Sequence, residues 1–177
     1  NIKLIKQHYA EKGFRTCNVD VRIENDSVYE QCVNVTFEID RGPKVRVGVI
    51  NIEGNEAFTD KRLRRTFKKT HQKSPWFWQN RKLLDEEYAN DKELLLDFYN
   101  ANGYRNATIL SDSVYYIDDA TLGIDLKVSE GNKYYIRNIN WVGNSVYTTE
   151  QLQSMFGVQS GDVYDKKSMH KRLGIGK

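Results

Sequence analysis

The chain has 177 residues, 39% of them apolar, and a net charge of only +3 from 27 Lys and Arg against 24 Asp and Glu. At roughly 150 residues per domain that length allows one or two domains. Seven Phe and eleven Tyr with so little net charge exclude wholesale disorder, which needs low hydrophobicity together with high charge. No run of 18 apolar residues makes a membrane-spanning helix, and the N-terminus lacks the basic flank and apolar run of a signal peptide.

The first predicted element is a hairpin. Val19, Val21 and Ile23 alternate with Asp20, Arg22 and Glu24; Val33, Val35, Phe37 and Ile39 alternate with Asn34, Thr36, Glu38 and Asp40. A turn near Asp26-Ser27 sets Cys17 opposite about residue 37 and Cys32 opposite about residue 22, too far offset for a disulfide, so both thiols are expected to be free. A strand follows, with Val45, Val47 and Val49 and then Ile50 and Ile52, ended by the turn pair Gly54-Asn55. Thr59 then caps a helix carrying Leu63 and Phe67. A second helix spans roughly 84–101, with Leu84, Tyr88, Leu95, Phe98 and Tyr99 on one face. Its first turn is acidic (Asp85, Glu86, Glu87), and Asn102-Gly103 stops it. The strand at about 105–115 is weakly patterned. After the turn Asp118-Asp119-Ala120 comes a cleaner strand with Ile124, Leu126 and Val128. Thr148 and Gln151 have capping-box spacing at the start of a further helix.

The chain repeats itself. Residues 42–67 align with 131–156 without a gap, with identities at Gly42/Gly131, Lys44/Lys133, Ile50/Ile139, Asn51/Asn140, Gly54/Gly143, Asn55/Asn144, Thr59/Thr148, Leu63/Leu152 and Phe67/Phe156. Tyr9, Gly13, Phe14 and Arg15 match Tyr99, Gly103, Tyr104 and Arg105. One complete unit, 44–132, is therefore expected between the C-terminal part of one unit (1–43) and the N-terminal part of another (133–177). The order within a unit is β-α-α-β-β. The fold class is α+β, each unit a three-stranded mixed sheet with two helices on one face and water on the other. A half-unit at each end is expected to expose core surface.

These residues resemble a POTRA repeat array, as found in the periplasmic arm of outer-membrane β-barrel assembly factors. The carriers are Ile50-Asn51-Ile52-Glu53-Gly54-Asn55 with Phe58-Thr59, then Tyr99 with Asn102-Gly103-Tyr104, then Val128-Ser129-Glu130-Gly131, then Gly143-Asn144. The stretch Ser74-Pro75-Trp76-Phe77-Trp78 resembles an aromatic insertion of the third unit in such arms, which would make the complete unit the third, flanked by the end of the second and the start of the fourth. The resemblance implies a module of the outer-membrane protein assembly machinery. Its place would be the periplasm, attached to the outer membrane of a Gram-negative bacterium through a C-terminal membrane barrel that this chain does not include. Its implied partners are unfolded outer-membrane β-barrel proteins and the machinery's lipoproteins, with no cofactor and no nucleic acid. The alternatives are the POTRA arm of a related secretion or translocation transporter, or a nucleic-acid-binding repeat using the basic 61–73 run with Trp76 and Trp78.

Two candidate surfaces emerge. A three-stranded sheet has two edges, and the weakly patterned strand is the candidate exposed edge: Ala107, Thr108, Ile109, Leu110, Ser111, Asp112 and Ser113, to which an extended client adds a strand. The other is the basic run from Lys61 to Lys73, in which Arg62, Arg65 and Lys69 are expected to share a helical face, with Trp76, Phe77 and Trp78 after it. The run reads either as a solvated helix face or as a patch for an acidic partner, anionic lipid or nucleic acid. The aromatic trio reads either as a loop anchor or as an exposed platform. A nucleic-acid repeat of KH type needs a GxxG loop, and no two of the 12 Gly are three apart. No P-loop, GxSxG, HExxH or CxxC is present, and His8, His71 and His170 have no ligand partners in spacing. No catalytic, cofactor-binding or metal-binding residue is therefore expected.

Overall fold

The computed structural model describes residues 1–29, 31–71 and 83–174. In chain order the elements are α1 (Ile2–Glu11), β1 (Asn18–Asn25), β2 (Val33–Asp40), β3 (Arg46–Glu53), α2 (Asp60–Arg64), α3 (Asp85–Ala101), β4 (Thr108–Asp118), β5 (Thr121–Ser129), α4 (Thr149–Phe156) and α5 (Lys166–Arg172). The fold is α+β. One sheet pairs β1 with β2; the other has the order β3-β5-β4.

Local packing gives the directions in the larger sheet. A Cβ added at Gly48 would meet Thr121, Asn51 Nδ2 donates to Asp125 at 2.8 Å, and a Cβ at Gly54 would run into the Val128 carbonyl. The sequence offset is nearly constant, so β3 and β5 run parallel. β4 and β5 are joined by the tight turn at Asp119-Ala120, in which the Asp118 carboxylate accepts the Ala120 N–H at 2.9 Å, and they form an antiparallel hairpin. The sheet is therefore mixed. Gly54 sits at φ +82° against that Val128 carbonyl, a position where only Gly avoids both strain and collision.

The chain folds as two compact units, and the division between them runs across β3, α3, β4 and β5. The first comprises residues 1–50, 69–89 and 114–124; it buries Cys17, Val19, Val45, Val47, Ile50, Leu83, Tyr88, Leu122 and Ile124. The second comprises residues 51–68, 90–113 and 125–177; it buries Ile52, Leu63, Phe67, Leu95, Tyr99, Leu126 and Val128. It also holds a small cluster of Ile136, Phe156 and Val158, with Trp141 packed against it. The capping box on α4 is formed: Thr148 Oγ1 accepts the Gln151 N–H at 3.3 Å, and Gln151 Oε1 accepts the Thr148 N–H at 3.0 Å.

Three expectations are corrected. The helix after Thr59 is a single turn that ends at Arg64, so Phe67 is buried beyond it rather than on it. The ladder stops because its groups find other partners: Thr66 bonds the Leu63 carbonyl through both its N–H (2.9 Å) and its hydroxyl (2.7 Å), and the Lys68 N–H goes to Asp91 at 2.8 Å. The β1–β2 register pairs Asn18 with Asp40 and Asn25 with Val33, so the loop centres near Tyr29, not Asp26-Ser27. Asp26 sets this register by accepting the Val28 and Tyr29 N–H groups at 2.7 and 2.9 Å and the Asn34 amide at 3.0 Å. The slip is an even number of residues, so the apolar faces are unchanged. Cys17 and Cys32 move further apart and both are free. The strand expected at 105–115 begins and ends three residues later, because Tyr104 to Ala107 form the turn after α3.

The β1–β2 hairpin leaves its apolar face open. Val33, Val35, Phe37 and Ile39 are 43–55% exposed, whereas their repeat equivalents Leu122, Ile124, Leu126 and Val128 are buried.

Candidate partner-binding surfaces

The strand order puts β4 at an edge of its sheet: among the described residues it has a strand neighbour on one side only. A Cβ at Gly123 would meet the Tyr115 ring, and Ile117 lies by Gly48 on the side of Thr121. Tyr115 and Ile117 thus share the face opposite the buried Leu122, Ile124, Leu126 and Val128. By alternation Leu110, Asp112, Val114 and Tyr116 turn toward the helix side, and Lys92 on α3 meets Asp112 there at 2.9 Å. Ten of the eleven β4 residues are exposed, Leu110, Val114, Tyr116 and Ile117 among them.

The sequence-predicted edge residues fall unevenly on this strand. Ala107 is buried ahead of β4, Ile109 is half-buried, and Thr108, Leu110, Ser111, Asp112 and Ser113 lie exposed on it. The sequence reading missed Val114–Asp118, although Val114-Tyr115-Tyr116-Ile117 has the β-branched and aromatic composition of a strand.

The basic run is dispersed. Arg62 is on α2, Arg65 caps its C-terminus, and Lys69 lies beyond it, so the three share no helical face. Arg64 pairs with Asp60 at 3.7 Å. The Arg62 guanidinium lies 4.9 Å from the Phe58 ring centre and 5.3 Å from that of Phe98. Phe58 is in edge-on contact with Phe98, Tyr99 and Tyr104, at 5.0–5.6 Å between centroids. Trp76, Phe77 and Trp78 lie outside the described residues.

Two buried carboxylates to which the sequence assigned no role hold these elements in place. Glu130, 9% exposed, accepts the Tyr99 hydroxyl on one oxygen and the Ala57 N–H on the other, each at 2.9 Å. Burial first, and then the Glu130 carboxylate beside it, pushes the Tyr99 hydroxyl well above its ordinary value near 10. Asp91, fully buried on α3, takes the Lys68 N–H. The only sequence signal for Asp91 is its spacing: with Tyr88, Leu95 and Tyr99 it completes the i, i+3, i+7, i+11 stripe.

The joints between repeats are built alike. The Val45 N–H donates to the Gly13 carbonyl at 2.8 Å, and the Tyr134 N–H to the Gly103 carbonyl at 2.9 Å. The matched arginines have different partners. Arg15 reaches the Leu83 carbonyl at 3.1 Å and Asp85 at 3.0 Å; Arg105 lies 5.8 Å from the Tyr164 ring centre. Among the described residues no three His, Cys, Asp or Glu side chains converge on a metal position, and no helix is long and apolar enough to cross a membrane.

Against known proteins, the family model described as POTRA, surface antigen variable number repeat, matches residues 45–131 and 134–174. An outer membrane protein assembly factor BamA of Neisseria meningitidis is 25% identical over 174 residues, 96% of this chain and 22% of that protein. A BamA of Buchnera aphidicola is 26% identical over 166 residues, 93% of this chain and 27% of the relative. The chain thus spans about a quarter of the length of these relatives. The crystal structure of Haemophilus influenzae BamA POTRA3-5 matches with a TM-score of 0.50 at 20% identity, covering 98% of this chain and 66% of that one.

Proposed function

The chain belongs to the POTRA family, and on that premise we propose that it is a module of an outer-membrane protein assembly factor. It works in the periplasm, on an arm attached to the outer membrane, and binds unfolded β-barrel clients and partner lipoproteins by strand addition. The likeness to BamA proteins over more than nine-tenths of the chain supports the assembly role. The repeats are assigned as 1–43, 44–132 and 133–177, the middle one complete.

The observation that carries the binding mode is the β4 edge. A long, largely exposed strand at the edge of its sheet can gain affinity from any extended chain with little demand on its sequence. That suits a receptor for many clients. Several weak edges in series raise the effective concentration of a client at each one.

The test is an amide NMR titration with an extended peptide copied from an outer-membrane barrel strand. Shifts concentrated on 108–118 and insensitive to salt are expected. Shifts centred elsewhere, or titration by a single-stranded oligonucleotide that fades with salt, refute strand addition as the mode.

A further inference from the structure

The rings and cations of the second compact unit form one connected surface apart from the β4 edge. The Arg62 guanidinium carbon lies over the Phe58 and Phe98 rings, and Phe58 meets Tyr104 at 5.6 Å. Lys133 lies 6.0 Å from the Tyr104 ring centre and 5.7 Å from that of Tyr135. Arg62, Lys133 and Tyr135 are exposed; Phe58, Phe98 and Tyr104 are half-buried. Among the described residues neither Arg62 nor Lys133 has a carboxylate within ion-pair distance, while Arg64, Lys92 and Arg15 each have one. A guanidinium held beside rings and without an ion-pair partner has N–H donors to offer a bidentate acceptor.

The first compact unit carries a related arrangement. Arg41 lies 5.4 Å from the Phe14 ring centre, and Phe14 meets Tyr9 edge-on at 6.1 Å, as Tyr104 meets Tyr99 at 6.0 Å. Phe14 and Tyr104 are repeat equivalents, but Arg41 aligns with Glu130, not with Lys133. The same placement of a cation over the ring is thus reached from different sequence positions.

We propose that Phe58, Arg62, Phe98, Tyr104, Lys133 and Tyr135 form a second docking surface, whose partner is an extended protein segment with carboxylates beside aromatic or aliphatic side chains. The carboxylates take the Arg62 edge and the Lys133 ammonium; the apolar side chains lie on the rings. Charge selects a peptide over a membrane. Asp60 lies two residues before Arg62 on α2, and Glu93 and Asp97 lie on α3 with Phe98; a few carboxylates tolerate such acids and a continuous phosphate surface does not.

The test is fluorescence anisotropy of this chain with a labelled peptide of repeated Asp-Phe-Glu-Leu units, at roughly 50 and 300 mM NaCl. Its Asn/Gln analogue and vesicles of anionic phosphatidylglycerol are the comparisons. The acidic peptide is expected to bind, with about tenfold loss for the neutral analogue and about tenfold loss for each of Arg62→Ala and Lys133→Ala. Arg62→Lys, which keeps charge and stem, is expected to keep the fold and lose the bidentate share, and it stands in if Arg62→Ala does not fold. Absence of binding, equal binding of the neutral analogue, affinity unchanged in Lys133→Ala and both Arg62 variants, or capture by vesicles and not by peptide would overturn the proposal. Barrel-strand binding at β4 is read separately by the NMR titration, so either reading fails without the other.

Discussion

Tyr99→Phe removes one oxygen from a fully buried ring on α3 and tests how much its link to Glu130 holds. The Tyr99 side chain is fully buried, and its hydroxyl donates to a Glu130 oxygen at 2.9 Å. The ring volume is nearly conserved, so the cavity contribution is small. What is lost is a hydrogen bond to a carboxylate in a site where water does not replace the donor, about 2 kcal/mol. For a chain of this size that lowers Tm by roughly 4–8 °C. Glu130→Ala removes the same partnership from the other side, so a double-mutant cycle is expected to show coupling of about 1–2 kcal/mol. The alkaline limb gives a second readout. The folded chain holds the Tyr99 proton more tightly than the unfolded chain does. The contribution is therefore complete below about pH 10 and lost as pH rises above it. The parent should lose stability more steeply than Tyr99→Phe in that range. Thermal melts from pH 7 to about pH 11 decide it. A Tm change within about 1 °C at pH 7, or parallel alkaline limbs for the two proteins, refutes the reasoning.

Gly103→Ala places a Cβ at φ +92° and 2.6 Å from Val163, so a loss of about 1–2 kcal/mol in denaturant unfolding is expected, where Asn102→Ala should cost less. Thr148→Ala removes the N-cap of α4; about 1 kcal/mol and faster amide exchange in its first turn are expected, with no change in α3. Backbone hydrogen bonds from Tyr29 and Val28, then the Asn34 amide, hold the Asp26 carboxyl below its ordinary value. Its contribution is therefore present above the unfolded carboxyl range near pH 4 and is lost as pH falls through the folded value. Protection of the Val28 and Tyr29 amides, taken relative to their intrinsic exchange rates, should fall in acid in the parent and be low at all pH values in Asp26→Ala; unchanged protection in that variant would remove Asp26 from the loop's support.

Most element types were legible because they are written in short-range spacing. The two-residue alternation of Val33 to Ile39 and of Ile124 to Val128, the helical stripe of Tyr88, Leu95 and Tyr99, and the Thr148/Gln151 box each involve neighbours within a few residues. The repeat was legible because two copies of one pattern lie on the same chain. The sites were less legible. Arg62, Arg65 and Lys69 fit a helical face only if the helix continues, and its end depends on Asp91, more than 20 residues away.

Periodicity and turn residues act locally, so they carry the β-α-α-β-β order, the tandem arrangement and the α+β class. The β1–β2 register, the one-turn length of α2, the Tyr99–Glu130–Ala57 link and the seat of Arg62 by Phe58 and Phe98 come from long-range contacts. In each case a backbone or side-chain group chooses between a local partner and one brought near by folding, and the choice depends on burial and distance that the order of residues does not display.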